Sequence, residues 1–105
     1  MFESLTHDEL ASATGGRATC DLSGLPSSAQ QIIARESGGD PTAKNPTSTA
    51  FGVGQLTIAN RRALMGGNAN STDCGAQIQA FQKYTLGRYG SFDRALQFHK
   101  RNGWY

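Results

Sequence analysis

Glycine and proline divide this sequence into short pieces, and that division limits the fold before any other property is considered. Gly15-Gly16, Gly38-Gly39 with Pro41, Gly66-Gly67, Gly90 and Gly103 each favour a turn or a helix end, so only modest helices fit between them. The apolar stretches stay far below the roughly 18 residues that cross a bilayer, and no membrane span is expected. Short helices are marginal alone and must share a core. The 105 residues supply one such core, because a second domain would need roughly another hundred.

Hydrophobic residues make up 37% and charged residues 17%, which suits a globular chain rather than a disordered tail. The net charge of +2 mildly favours an anionic polymer, but the lysines and arginines are scattered and form no stripe for nucleic acid, so no such partner is expected. No basic segment followed by an apolar run opens the sequence, and no signal peptide is read. Cys20 and Cys74 lack metal-type spacing; they are either one disulfide joining the N-terminal segment to a later helix or two buried thiols. Nothing pairs His7 with a second ligand, so neither a metal nor another cofactor is expected.

Residues 1–20 read as an arm or linker, with the polar run Thr6-His7-Asp8-Glu9-Leu10 followed by Gly15-Gly16, and residues 21–105 read as the domain. Pro26 suits the first turn of a helix, and Ala29, Ile32 and Ile33 follow at helical spacing, which predicts a helix over 26–37. A loop rich in Pro, Asn, Ser and Thr runs to Thr49. Ala50-Phe51-Gly52-Val53-Gly54-Gln55-Leu56 then alternates small and large residues too briefly for a sheet, predicting a short extended segment or hairpin.

Thr57 is placed to cap a helix through Met65. A longer helix should start near Thr72 or Asp73, turn Cys74, Ile78, Phe81 and Tyr84 inward, and end at Gly90. Ser91 caps the last helix, where Phe92, Ala95, Leu96 and His99 form an i, i+3, i+4, i+7 stripe ahead of Gly103. Arg61-Arg62 reads as part of a solvated face, and Phe51, Trp104 and Tyr105 as core or terminal packing.

One residue breaks the pattern. Glu36 continues the apolar face of Ala29, Ile32 and Ile33, where the periodicity asks for a hydrophobic side chain. A carboxyl group on such a face loses hydration, and loss of hydration favours the neutral, proton-bearing form that glycosidic bond cleavage needs as its acid.

The surroundings of Glu36 carry a resemblance. Glu36-Ser37-Gly38-Gly39-Asp40-Pro41, Ala43, Asn45 and Ala50-Phe51-Gly52-Val53-Gly54-Gln55-Leu56 resemble, in order and spacing, the lytic transglycosylases of the lysozyme-like superfamily. Gln79 to Gly90, with Tyr84-Thr85-Leu86 and Arg88-Tyr89-Gly90, resembles that family's helix bearing a tyrosine that faces the acid, and the likeness covers about residues 26–105. The chain departs from the usual Ala-Leu-x-x-Tyr-Asn-Ala-Gly ending with Ala95-Leu96-Gln97-Phe98-His99-Lys100-Arg101-Asn102-Gly103-Trp104-Tyr105. That ending is instead similar to compact transglycosylase-like domains of phage lysins and resuscitation-promoting factors.

The resemblance implies a mainly α, α+β lysozyme-like domain, with the short extended segment or hairpin beside a catalytic cleft. It implies Glu36 as general acid and then base, Ser37 positioning the substrate or that carboxylate, Gln55 binding an N-acetyl sugar, and Tyr84 hydrogen-bonding near the acid. His99, at the position of the family's asparagine, either contacts substrate or, lying on an apolar stripe, is a histidine satisfied within the core. The substrate would be the glycan strand of peptidoglycan, cut between N-acetylmuramic acid and N-acetylglucosamine to leave a 1,6-anhydromuramoyl end. Action on that substrate is extracytoplasmic, whether the chain is secreted, periplasmic or carried by a virion or cell-wall assembly through residues 1–20. Two alternatives stay open: a hydrolytic muramidase in which Asp40 or Asp73 orients water, and a non-catalytic glycan-binding or structural module.

Overall fold

A computed structural model describes residues 19–105; the expected arm, apart from its last two residues, and His7 lie outside the described residues. The described residues are mainly helical, with α1 (Ser27–Glu36), α2 (Ile58–Met65), α3 (Cys74–Tyr89) and α4 (Phe92–Asn102), and a single 3₁₀ turn at Gly66–Asn68 between α2 and α3. Each helix ends within a residue or two of the position that its glycines and caps predict. The Asp73 carboxylate accepts from the Ala76 N–H at 2.9 Å, and the Ser91 hydroxyl from the Arg94 N–H at 3.1 Å. Thr57 occupies the cap position of α2 without capping it; the Thr49 hydroxyl accepts the Ile58 N–H instead, at 3.0 Å.

No strand forms among the described residues. Phe51 makes isolated antiparallel bridges with Lys44 and Leu56, so residues 43–56 fold back on themselves as a compact loop that only touches β geometry. The core lies between this loop and the helices: Ala29, Ile32 and Ile33 of α1, Val53 and Leu56 of the loop, Ala80 and Phe81 of α3, Ala95 and Leu96 of α4, and Tyr105. No helix among the described residues is long and apolar enough to cross a membrane.

In α3 Phe81 is buried and Cys74, Ile78 and Tyr84 pack against the core from partly buried positions, as expected, while Gln77, Ala80 and Thr85 complete the inward face. The Gln77 amide is used inside. Its Oε1 accepts from Val53 N–H at 2.9 Å, and its Nε2 donates to the carbonyls of Pro41 and Ser71, each at 2.8 Å. Arg61, expected on a solvated face, is 7% exposed. Its Nε donates to the Ala69 carbonyl at 2.9 Å and its Nη1 to those of Thr49 and Leu56 at 2.6 and 2.5 Å, serving the Ala69 and Thr49 carbonyls and adding a second donor to that of Leu56, which also accepts the Phe51 N–H.

Cys20 and Cys74 form a disulfide across a sequence separation of 54, fastening the segment before α1 to the start of α3. Closing a loop of that length contributes about 4 kcal/mol through the entropy of the unfolded chain, a large share of the stability of a domain this size.

Candidate active site

Glu36 is the last residue of α1 and one of its buried residues, with Ser28, Ala29, Ile32 and Ile33. At 6% exposure it holds the position that the apolar stripe gives it. Its Oε2 lies 3.0 Å from Nε2 of His99, which reaches across from α4 and is 1% exposed. His99 Nδ1 is buried with no partner. An orphaned lone pair costs less than an orphaned N–H, so the proton belongs on Nε2, which donates to the carboxylate. Glu36 Oε1 has no protein partner and is not among the enclosed polar atoms, leaving it for the cleft that Glu36 lines.

That cleft has a volume of about 330 Å³. Asn45, Ala50 and Gln55 of the loop line it together with Gly103, Trp104 and Tyr105, which follow α4. Trp104 is 51% exposed, an aromatic surface beside a buried acid.

The loop is held by groups drawn from three sides. Ser37, fully buried, donates its hydroxyl to the Val53 carbonyl at 2.8 Å and accepts from the Gly39 N–H at 3.1 Å. The Tyr105 hydroxyl donates to the Gly54 carbonyl at 2.6 Å. A Cβ at Gly54 would meet that hydroxyl at 3.0 Å and Phe81 at 3.2 Å, and one at Gly52, where φ is +83°, would meet Gln77 Oε1 at 2.5 Å. Gly52 is therefore required by both its conformation and the approach of Gln77, while a side chain at Gly54 would have to push Tyr105 and Phe81 aside by a few tenths of an ångström.

Gln55 is the one non-glycine residue with positive φ among the described residues, at 52°. Its conformation is sustained by its own amide, whose Nε2 donates to the Ala43 and Gly52 carbonyls at 2.9 and 2.8 Å, while the buried Oε1 has no partner.

The expected site residues are thus sorted. Glu36 and Gln55 share the cleft. Ser37 lies beneath the loop, fixing the joint between the end of α1 and Val53 rather than presenting itself to a ligand. Of the two readings of His99 the burial matches the core one: it is 1% exposed and its ring meets Glu36 rather than the cleft. The Tyr84 hydroxyl donates to the carbonyl of Tyr105, which lines the cleft with Glu36, at 3.3 Å and accepts from Arg88 at 3.0 Å.

Tyr105 itself was not among the candidates, because an aromatic after the last helix carries no signal beyond packing. Burial, and then the nearby Glu36 carboxylate, hold its hydroxyl well above the usual phenol range. Gln77 is the other residue that periodicity overlooked. The row Gln77, Phe81, Thr85 is inward at i, i+4, i+8, but a glutamine there reads as surface.

The two other carboxylates considered for chemistry are engaged elsewhere. Asp40 Oδ1 accepts from both the N–H and the hydroxyl of Thr42 at 2.8 Å, and Asp73 caps α3. Among the described residues, no group of three or more His, Cys, Asp or Glu side chains is placed to hold a metal. Comparison of the chain with protein-family models, with curated proteins and with solved structures gives no match.

Proposed function

We propose that this chain is a peptidoglycan lytic transglycosylase on a lysozyme-like scaffold, with Glu36 as its single general acid and base. The observation that carries this reading is the Glu36 carboxyl group itself, sunk in an apolar helix face, gripped on one oxygen by His99 and open to a cleft through the other. A lone carboxyl group in such a cleft suits a reaction that protonates a leaving oxygen. Asp40 and Asp73 are committed to a turn and a cap, which favours this reading over a hydrolase that orients water with a second carboxylate. Gln55 lines the cleft beside Glu36, and exposed Trp104 offers a face on which a sugar ring can stack.

In the reaction, Glu36 gives its proton to the oxygen between N-acetylmuramic acid and N-acetylglucosamine as that bond breaks. The substrate's own acetamido oxygen closes on the anomeric carbon, so no second carboxylate is used. Glu36, now ionised, takes the proton of the muramoyl 6-hydroxyl, whose oxygen displaces the acetamido group and closes a 1,6-anhydro ring. His99 keeps the carboxylate aimed while its charge changes. Such a substrate puts the site of action outside the cytoplasm.

The test is Glu36→Gln, which keeps size and hydrogen-bonding capacity but carries no transferable proton. It should clear cell-wall suspensions at least about a hundredfold more slowly than the parent. Clearance at the parental rate by the folded variant would refute the assignment, and oligosaccharide binding without turnover by the parent would make the domain a glycan-binding module.

A further inference from the structure

A second, larger cavity, of about 590 Å³, adjoins the cleft, and Asn45 and Ala50 line both. Lys44, Arg61 and Arg62 line this cavity with the ring of Phe51, and no aspartate or glutamate does. Among the described residues no lysine or arginine is ion-paired to a carboxylate, so these three cations have no anionic protein partner there. Arg61 is the unusual member. It is more than nine-tenths buried, its Nε and Nη1 are spent on backbone carbonyls, and its Nη2 has no protein partner yet is not an enclosed atom. Its guanidinium lies 5.4 Å from the Phe51 ring centroid. Burial and the neighbouring Arg62 charge both work against Arg61 holding its proton, which is what a cation with no counter-ion experiences.

A buried guanidinium flanked by two exposed cations, opening on a cavity without acids, is a site for a carboxylate. We infer that this cavity receives the acidic peptide stem of the glycan strand, its carboxylates held by Lys44, Arg61 and Arg62, while the sugar chain lies in the adjoining cleft at Glu36. The inference rests on the transglycosylase reading for the identity of the polymer and names which form of it the domain prefers. A muramoyl sugar bound beside Asn45 and Ala50 would direct its branch into this cavity, so the chain would distinguish strands that carry stems from strands that have been stripped of them.

The test compares soluble peptidoglycan fragments bearing their stems with the same fragments after an amidase has removed them. Binding by titration calorimetry and turnover by product analysis are measured for the parent and for Lys44→Ala/Arg62→Ala, with Arg61 kept because it ties three carbonyls. The parent should bind stem-bearing fragments roughly five- to tenfold more tightly than bare ones, the advantage should shrink in high salt, and the double variant, with Arg61 alone left, should keep no more than about a twofold preference. Equal affinity of the parent for both fragments, or a preference undiminished in the double variant, overturns the stem site alone. Neither binding nor turnover of either fragment overturns the transglycosylase reading and the stem site together.

Discussion

The contact between Glu36 and His99 makes a prediction that can be worked from the structure. Replacing His99 with leucine keeps an apolar side chain of similar size where the imidazole lies fully buried, but removes the only protein group bonded to the carboxylate. A hydrogen bond to a charged group is worth about 1.5–3 kcal/mol, and breaking a wholly buried pair costs about 3–5 kcal/mol. Because Oε1 opens to the cleft, the lower range applies, and His99→Leu should cost about 2–3 kcal/mol. In a domain of this length that lowers Tm by roughly 10–20 °C. The assay is a double-mutant cycle by urea denaturation with His99→Leu, Glu36→Leu and the pair. Coupling above about 1 kcal/mol is expected, since each single change disturbs the same contact. Single and double effects that add within about 0.3 kcal/mol would refute the pairing, as would a His99→Leu protein as stable as the parent.

Three further perturbations follow from the loop, the disulfide and Tyr105. Gly52→Ala places a Cβ 2.5 Å from Gln77 Oε1 at a φ of +83°, and should cost about 3 kcal/mol by strain and by loosening the Gln77 hydrogen bonds, with unchanged stability in thermal melts counting against the loop's role. Reducing the Cys20–Cys74 disulfide should lower stability by up to about 4 kcal/mol, read as a shifted urea midpoint with and without reductant. Tyr105 stabilises the fold in its neutral form: with its folded-state value above the usual 10.0, its contribution is complete below about pH 10 and is lost as pH rises through the folded value. Melts above pH 10 should therefore fall, and Tyr105→Phe should weaken the fold by about 1 kcal/mol at neutral pH but flatten that alkaline decline; an equally steep decline in the variant would contradict it.

Much of the helical frame was legible because it is written locally. Asp73 and Ser91 cap, Gly90 and Gly103 stop, and the stripe through Ala95, Leu96 and His99 buries the residues that periodicity selects. Glu36 stood out by the same logic, as a carboxyl group on an apolar row. What escaped depends on contacts between segments distant in sequence. Gln77 turns inward to serve Pro41, Val53 and Ser71, none of them on its own helix. Arg61 is buried because it donates to three carbonyls, of Thr49, Leu56 and Ala69, that only the fold brings together. His99 could be placed on an inward face from its own helix, but the partner it meets there, 63 residues away, could not be. Tyr105 follows the last periodic segment, where no pattern remains to orient it.

The claim at the centre of this account is that Glu36 alone serves as acid and then base, leaving an intramolecular ether rather than a hydrolysed end. Mass spectrometry of the soluble products released from peptidoglycan by the intact chain, run beside Glu36→Gln, tests it directly. The account predicts 1,6-anhydromuropeptides from the parent and none from the variant. Muropeptides with reducing ends would show that water is the acceptor, and the same products from both proteins would show that Glu36 is not the acid.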